Sequence, residues 1–269
     1  MAGQLIILPG VESAASNGSA RIDMTAADEI AARMPSLTNS VCARAVTEGP
    51  AGISGRCRAS GGLLTMIGSN PGSMMIKTLA GRKAITLRDE SSSAALLLPA
   101  GSWKASHCTV SAIYIGGGFT ASSALFNFIN GYNNATYAAS SVRAYGMTYS
   151  SSHAGKFVNT FVSSGGSAAG VSVPSAGAWH ILMSAIDAHE NTAYISVDGG
   201  AIATFTSPGL VVPVDESQAR MGIGYITSSG LRDGGVGDLF VFNASMQGST
   251  FERAAVSDLV AALKSQYGI

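Results

Sequence analysis

The stretch that decides the fold is residues 179–205, which read WHILMSAIDAHENTAYISVDGGAIATF. Two segments in it, WHILMSAI and TAYISV, alternate apolar and polar residues, and a third, AIATF, follows an Asp-Gly pair. Alternation with a period of two is typical of a half-buried β-strand, and Asp-Gly between two such segments is a strong hairpin signal. The stretch therefore predicts a strand followed by a β-hairpin that turns at Asp198 and Gly199.

The same pattern continues on both sides of this stretch. From about Trp103 onward the candidate strands are CTVSAIYI, LFNFIN, SVRAYGM, KFVNTFV, RMGIGY and GDLFVF. Residues 41–98 contain VCARAV, LLTMIG, SMMIKTL, KAITLRD and AALLL, separated by Gly, Pro and Ser, and residues 5–8 form a further short apolar segment. Many short strands joined by turns predict an all-β sandwich.

Two helices are predicted outside the strands. Thr25 and Asp28 form a capping-box pattern at the start of residues 26–34, and Pro35 ends that segment. Ser249 and Glu252 repeat the pattern near the C-terminus, where one helix face collects the apolar side chains and Gly268 stops the helix. The residues on that face are Val256, Leu259, Val260, Leu263 and Tyr267.

The C-terminal segments together resemble a known family. The stretch quoted first, followed by RMGIGY, GDLFVFNASM and FERAAVSDLVAALKSQYGI, resembles the concanavalin A-like lectin/glucanase (laminin-G-like) domains, including a subgroup that closes on Lys264, Tyr267, Gly268 and Ile269. The resemblance covers residues 103–269. It implies a two-sheet antiparallel jelly-roll sandwich and a binding role toward glycans or protein partners, in bacteriophage structural proteins or bacterial surface proteins.

The expected fold is therefore an all-β jelly-roll sandwich with a C-terminal amphipathic helix and an irregular N-terminal region that contains one short helix. Residues 1–90 are expected to form an attachment and assembly region that supplies some strands of the sandwich. Residues 91–269 are expected to form the sandwich and its C-terminal helix.

The composition limits the classes of partner. Sixteen basic and sixteen acidic residues cancel without forming a Lys/Arg cluster, so nucleic acid is not an expected partner. The first ten residues lack a basic segment and no apolar stretch is long enough to span a bilayer, so neither a secretion signal nor membrane insertion is expected. Cys42, Cys57 and Cys108 form no CxxC pair and are predicted to be buried free thiols.

The acidic residues argue against glycan hydrolysis. A glycosidase needs two carboxylates about 5–9.5 Å apart, and the chain has no Asp or Glu between Glu90 and Asp187. Asp187 and Glu190 are three residues apart, a spacing that places them on opposite faces of a strand. No Gly-x-Ser-x-Gly, P-loop or HExxH motif occurs. We therefore expect a protein without enzymatic activity.

The best candidate ligand site is the loop NGYNNATY. It contains Tyr132, Asn133, Asn134 and Tyr137, and Tyr145 lies near a following turn. Sugar rings pack on aromatic faces while amides bind their hydroxyls, so these residues suit a glycan. The alternative is that Asn-Gly and Asn-Asn only form turns.

No metal or other cofactor is part of the main prediction. Calcium is the alternative, because laminin-G-like domains often bind it, with Asp187, Asp198, Asp233 and Asp238 as the available carboxylates. His180 is expected to be a structural histidine. Trp103 and Trp179 are expected in the core.

Only 12% of residues are charged, so the surface consists largely of small neutral side chains. Such a surface repels neighbouring molecules weakly and suits a protein that is packed in an assembly. The expected function is therefore a virion structural protein, a bacteriophage fibre, spike or decoration subunit. It would form homo-oligomers and bind other virion proteins and host-surface glycans. The alternatives are an extracellular carbohydrate-binding module or adhesin on a bacterial surface, and a diverged glycoside hydrolase.

Overall fold

The computed structural model describes residues 24–68, 70–88, 93–116, 126–132, 146–150, 156–160, 167–172, 175–207, 215–225, 231 and 234–269. In chain order the helices and strands are α1 (Ala26–Ala32), β1 (Leu37–Cys42), β2 (Thr47–Gly49), β3 (Gly52–Ser54), β4 (Thr65–Gly68), β5 (Met74–Leu79), β6 (Arg82–Leu87), β7 (Ala94–Leu97), β8 (His107–Ile115), β9 (Phe126–Tyr132), β10 (Gly146–Ser150), β11 (Lys156–Thr160), β12 (Ser167–Ser172), β13 (Ala178–Asp187), β14 (Thr192–Val197), β15 (Ala203–Thr206), β16 (Arg220–Tyr225), β17 (Gly235–Phe242) and α2 (Thr250–Tyr267).

The strands form two large antiparallel sheets. Sheet 1 has the order β15-β14-β13-β8-β17-β6-β5, and β1 pairs with β17 beside it. Sheet 2 has the order β12-β11-β10-β9-β16-β7-β4, and β2 and β3 form a separate hairpin. The predicted all-β, two-sheet antiparallel fold is confirmed.

The main core lies between the sheets. Ile113 and Leu239 of sheet 1 and Leu96 and Ile223 of sheet 2 belong to one cluster of buried apolar side chains. Full burial of one such side chain stabilises the fold by about 1.5–3 kcal/mol. Trp103 also lies in this cluster and is completely buried, as expected.

A second core lies on the outer face of sheet 1. Ala31 of α1 and Leu263 of α2 pack there in one cluster with Val110, Ile181 and Phe240. The capping boxes of both helices form as predicted, and the left-handed Gly268 (φ 75°) ends α2. The helices therefore cover one outer face of the sandwich.

The predicted hairpin is confirmed by the β14–β15 pairing. Asp198 and Gly199 both have positive φ, 54° and 73°, and the Gly200 amide donates to the Val197 carbonyl oxygen at 2.9 Å. Positive φ at both central residues is typical of a type I′ turn, whose twist matches that of the flanking strands. An L-residue with positive φ is uncommon except for Asn and Asp, which explains the turn sequence.

Strands from the first ninety residues are built into both sheets. β1 pairs with β17, β6 pairs with β17 and β5, and β4 pairs with β7. These N-terminal residues therefore complete the sandwich itself. Their expected role in attachment stays a prediction.

Some strands differ from the sequence expectation. β1 begins earlier than VCARAV and ends at Cys42, because the Ala45 amide turns back to the Cys42 carbonyl oxygen. β12 (SAAGVS) was not predicted, since Ser, Ala and Gly give no apolar alternation. The predicted strand at residues 5–8 and the first five residues of SVRAYGM lie outside the described residues.

Two further properties follow from the described residues. All three cysteine side chains are buried and unpaired, in agreement with the prediction. In the same part of the chain, neither helix combines the length and the apolarity needed to cross a bilayer.

Candidate functional site

The two outer faces of the sandwich differ. Helices α1 and α2 cover sheet 1, whereas neither of them contributes to the apolar cluster on the outer face of sheet 2. That cluster is small and consists of Ala95, Leu97 and Tyr132, with Ile67 packed against it. The outer face of sheet 2 is therefore the candidate ligand surface.

Strand β16 runs through the middle of this face. Its residues Met221 and Ile223 point into the core between the sheets. Because side chains alternate along a strand, Arg220 and Gly222 project from the outer face. Arg220 pairs directly with Tyr132 of β9, so both side chains lie on the same face.

Gly222 lets two side chains close over the strand. A Cβ atom at this position would lie 2.7 Å from Leu97 Cδ2 and 2.9 Å from Tyr132 Cε2. The Tyr132 ring therefore rests against the backbone of β16, and its hydroxyl donates to the Gly224 carbonyl oxygen at 2.9 Å.

Tyr132 is the one predicted site residue that the structure describes. It is 6% exposed, so its ring supports the face from within and offers little surface to a ligand. Asn133, Asn134, Tyr137 and Tyr145 lie outside the described residues. Their role in ligand binding stays a prediction.

Arg220 is half-buried, and the part of the chain that the structure describes offers its guanidinium no hydrogen-bond acceptor and no carboxylate. A guanidinium carries five N–H donors and stays charged throughout the physiological range of pH. Arg220 is thus a fixed positive charge whose donors have no partner within the described ranges, next to the buried Tyr132 ring.

The same row of the sheet continues across β7 and β4. The Leu98 amide donates to the Met221 carbonyl oxygen, which places the half-buried Pro99 next to Arg220. Leu63 lies two residues before Thr65 of β4, outside sheet 2, where its backbone forms an isolated bridge with Arg56, and its side chain is 62% exposed. We call Leu63, Thr65, Pro99, Tyr132 and Arg220 the Arg220 patch.

The patch spans four neighbouring chain segments. Neighbouring strands usually lie about 4.8 Å apart, so the distance from β9 to β4, across three such intervals, is about 14 Å. This length fits an extended oligomeric ligand better than one small molecule. The patch combines an apolar side chain, a hydroxyl and a cation.

Negative charge is absent from the seven strands that the structure describes in sheet 2, since none contains Asp or Glu. The nearest acidic residues along the chain, Asp215 and Glu216, precede β16 and are already engaged. Asp215 accepts hydrogen bonds from Ser217, which lower the pKa of its carboxyl. Glu216 accepts from the Ala105 amide at 2.8 Å and lies 3.6 Å from the Lys104 ammonium.

Known structures show the same fold. The sialidase of Trypanosoma rangeli matches with a TM-score of 0.57 and 7% identity, over 87% of this chain and 33% of the sialidase. Domain 4 of AbnA, a GH43 extracellular arabinanase from Geobacillus stearothermophilus in complex with arabinotriose, matches with a TM-score of 0.50 and 14% identity, over 83% of this chain and 98% of that domain. The binding domain of Botulinum Neurotoxin DC in complex with SialylT matches with a TM-score of 0.53 and 11% identity, over 87% of this chain and 52% of that one.

The likeness to these structures is one of fold. The chain spans about a third of the sialidase and about half of the neurotoxin binding domain. No protein-family model matches the chain, and no curated protein sequence matches it. The comparisons therefore establish a β-sandwich architecture for the chain.

His180 of β13 occupies a structural position, as expected. Its Nδ1 lies 2.8 Å from Asp198 Oδ2 and its Nε2 lies 2.9 Å from the Ser175 carbonyl oxygen. Asp198 also accepts from the Ile181 amide at 2.7 Å, and its own carbonyl oxygen accepts from the Lys264 ammonium. Asp198 therefore ties the hairpin to β13 and to α2, in addition to forming the turn.

Asp238 is the most buried carboxylate of the described residues, at 1% exposure. Its Oδ2 accepts from the Tyr267 hydroxyl at 2.6 Å and from the Gln266 amide at 2.7 Å, and Arg44 lies 3.6 Å from Oδ1. Burial and the nearby Asp238 charge raise the pKa of the Tyr267 hydroxyl, and the same causes raise the pKa of the Cys42 thiol to about 12. The cluster joins the C-terminal helix to β17.

The calcium alternative gains no support from these acids. Asp187, Asp198 and Asp238 each accept hydrogen bonds from protein donors, and Asp233 lies outside the described residues. Within the described ranges, no three His, Cys, Asp or Glu side chains form a group that could hold a metal ion.

Asp187 and Glu190 do not share a strand, which corrects the expectation that strand alternation separates them. Asp187 is the last residue of β13, and Glu190 lies in the turn that follows. Asp187 Oδ1 accepts from the backbone amides of His189 and Glu190, and Oδ2 accepts from the Ser245 hydroxyl. This carboxylate stabilises a turn.

Sequence reasoning missed Arg220. The signal was present in RMGIGY, where a basic residue alternates with two glycines while Met221 and Ile223 mark the inward face. A glycine inside a strand often marks the close approach of another group, and at Gly222 that group is the pair of side chains Leu97 and Tyr132 beside Arg220. The aromatic loop at residues 130–137 carries the more familiar pattern for a glycan site.

Proposed function

We propose that this chain is a non-enzymatic carbohydrate-binding module and that the Arg220 patch forms part of its binding surface. The observation that carries the proposal is the contrast between the two outer faces. Helices of the chain itself pack on sheet 1, while β16 of sheet 2 carries a guanidinium that has no partner among the described residues, and the exposed Leu63 lies just before β4 at the edge of that sheet.

The chemistry of the patch suits a saccharide. Sugars present apolar ring faces and many hydroxyl acceptors, and binding sites for them combine apolar contact with a few positioned polar groups. Leu63 and Pro99 supply apolar contact, and Thr65 and Arg220 supply hydrogen-bonding groups. The known structures that share the fold include one in complex with arabinotriose and one in complex with SialylT, which supports the same class of ligand.

The absence of enzymatic activity is part of the proposal. Hydrolysis of a glycosidic bond by the common mechanism needs a pair of carboxylates beside the bound sugar. The seven described strands of sheet 2 contain no Asp or Glu, which supports binding without cleavage. Incubation of every bound glycan with the protein is expected to release no shorter saccharide.

The test is a glycan array probed with the purified protein and with a Leu63→Ala, Arg220→Ala double variant. The wild type is expected to bind a subset of glycans, and the double variant is expected to lose about tenfold or more in affinity, the usual size of a central contact. The matched control is Ile202→Ala, which removes an exposed apolar residue, 43% exposed, from the hairpin of sheet 1.

Two results would contradict the proposal. One is an array on which the wild type binds no glycan. The other is an equal loss of affinity in the double variant and in Ile202→Ala.

An Asn133→Ala, Asn134→Ala variant on the same array tests the loop that the sequence favoured. Loss of binding in this variant would extend the binding surface beyond Tyr132.

A virion structural role is the second candidate, and the composition favours it. Only 12% of residues are charged, so neighbouring copies would repel one another weakly in a packed assembly. The setting would be a bacteriophage fibre, spike or decoration subunit that binds other virion proteins. Light scattering of the purified protein tests this setting, because a discrete homo-oligomer is expected and a strict monomer at high concentration would contradict it.

A further inference from the structure

We infer that the ligand of the Arg220 patch is an acidic saccharide and that Arg220 binds its carboxylate. The inference rests on the proposed function and names the class of ligand. It follows from three observations: Arg220 has no partner among the described residues, the described strands of sheet 2 carry no negative charge, and the backbone at Arg220 is held in the middle of the sheet.

Most arginines in the described part of the chain already have an acceptor. Those with a carboxylate or carbonyl partner are Arg33, Arg44, Arg56, Arg58, Arg88 and Arg253. Arg82 has none but is exposed, so water binds its donors. Arg220 is half-buried as well as unpaired, a combination that no other arginine of the described ranges shows.

Arg220 is half-buried as a residue, and its guanidinium has no acceptor among the residues that the structure describes. Donors that lack a protein acceptor are available to a ligand, which can complete their hydrogen bonds. A carboxylate matches the two parallel N–H groups of arginine with two oxygens, and this bidentate pairing is stronger and more directional than a contact to a hydroxyl. An acidic sugar therefore fits the group better than a neutral sugar.

The surrounding charges favour an anion. The only charged residues in the seven described strands of sheet 2 are Lys156 and Arg220, both basic. Of the two acidic residues just before β16, Glu216 is paired with the Lys104 ammonium and the Ala105 amide, whereas Asp215 keeps its charge and lies in the exposed turn outside the strand. An incoming carboxylate would therefore meet no unpaired negative charge on these strands.

The strand also fixes the backbone from which the Arg220 side chain extends. Arg220 is paired with Tyr132 on one side, and the Leu98 amide binds the neighbouring Met221 carbonyl oxygen on the other. Tyr132 in turn is held against Gly222 and bound to the Gly224 carbonyl oxygen. Because the strand already orders the backbone at Arg220, ligand binding has to order only the side chain, which lowers the entropic cost of a specific site.

The experiment compares acidic and neutral forms of the same saccharides. The probes are an oligogalacturonate and sialyllactose, each as the free acid and as its neutral methyl ester, titrated calorimetrically at low and at physiological salt. We expect at least one free acid to bind, and its methyl ester to bind about tenfold more weakly or worse, because esterification removes one half of the charged pair.

Three variants locate the effect. Arg220→Gln is expected to bind the acid and the ester equally weakly. Arg220→Lys keeps the charge but lacks the planar pair of donors, so it is expected to recover only part of the affinity. Arg82→Gln removes the same charge from an exposed position on sheet 1 and is expected to bind like the wild type. Thermal unfolding of each variant shows that it is folded.

The outcomes separate this inference from the proposed function. Equal binding of the acid and its ester, dependent on Leu63, would overturn the acidic ligand and keep the carbohydrate-binding module. Equal losses in Arg220→Gln and Arg82→Gln would overturn it as well, because the effect would then come from net charge. Binding of neutral glycans on the array, with both acids failing in the titration, would also overturn the acidic ligand alone. Failure of all glycans would overturn both proposals.

Discussion

Gly222 is the residue on which the shape of the binding face depends. Its missing side chain leaves the space that Tyr132 and Leu97 fill, since a Cβ atom would lie 2.9 Å from the first and 2.7 Å from the second. We expect Gly222→Ala to lower the free energy of unfolding by about 1–3 kcal/mol, the usual cost of overpacking. Displacement of Tyr132 should also weaken glycan binding through its neighbour Arg220.

Gly72→Ala is the matched control for that change, because its Cβ atom would lie 3.8 Å from the nearest atom. Urea unfolding of both variants measures the difference. A Gly222→Ala protein as stable as Gly72→Ala, with unchanged glycan affinity, would show that the Tyr132 ring does not depend on the bare backbone beneath it.

His107 gives a prediction about pH. Complete burial lowers the pKa of this imidazole from its ordinary 6.5 to about 4. Between about pH 4 and pH 6.5, the His107 ring binds a proton in the unfolded chain but stays neutral in the folded chain. Stability from this group is therefore fully present above about pH 6.5 and decreases as the pH falls toward 4, by about 3 kcal/mol in total.

Nuclear magnetic resonance of the imidazole nitrogens measures this directly. The His107 signals are expected to stay those of a neutral ring down to about pH 4. A His107 ring that is already protonated at pH 6 in the folded protein would contradict the assignment of burial as the controlling effect.

Local signals made some residues predictable and left others hidden. Asp198 was predictable because an Asp-Gly pair in a hairpin needs only neighbouring residues. Its bonds to Ile181 and His180 were not, because they join residues seventeen and eighteen positions apart. Arg220 was hidden for a similar reason, since its neighbours Tyr132 and Pro99 are distant in sequence.

Among the elements, α2 is attached to sheet 1 by polar bonds as well as by its apolar face. The Tyr267 hydroxyl donates to the buried Asp238 carboxylate at 2.6 Å. Tyr267→Phe keeps the ring and removes this bond, so we expect the free energy of unfolding to fall by about 1.5–3 kcal/mol, the range for hydrogen bonds to charged groups. Hydrogen exchange at the amides of the last turn should rise in parallel.

Tyr114→Phe is the control for this change. Tyr267 and Tyr114 both pack against Trp179, with ring centroids 4.6 Å and 5.5 Å from it. The Tyr114 hydroxyl has no hydrogen-bond partner among the residues that the structure describes. Removal of this hydroxyl should change stability little. Equal stability of the two variants would mean that the helix is held by its apolar face alone.

The elements differ in how far sequence could predict them. Both helices were predictable to within two residues because their capping boxes and their stop residues, Pro35 and Gly268, are local signals. Strand β12 was not, because Ser, Ala and Gly carry no pattern and the strand forms by pairing with β11. The bounds of β1 shifted for the same reason, since its partner β17 lies near the other end of the chain.

For the molecule as a whole, the sandwich could be predicted from the density of short strands, but the arrangement of the strands could not. β17 lies between β8 on one side and β1 and β6 on the other, so residues near both ends of the chain meet in the centre of sheet 1. In the part of the chain that the structure describes, both helices pack on the outer face of sheet 1. The other sheet is left to carry the Arg220 patch.

Backbone amide chemical shifts, mapped while a glycan that binds on the array is added, would show which sheet holds the ligand. We predict the largest changes at Thr65, Leu97, Arg220 and Gly222, with little change in α2. Changes centred on α2 or on the β14–β15 hairpin would contradict the assignment of sheet 2 as the binding face.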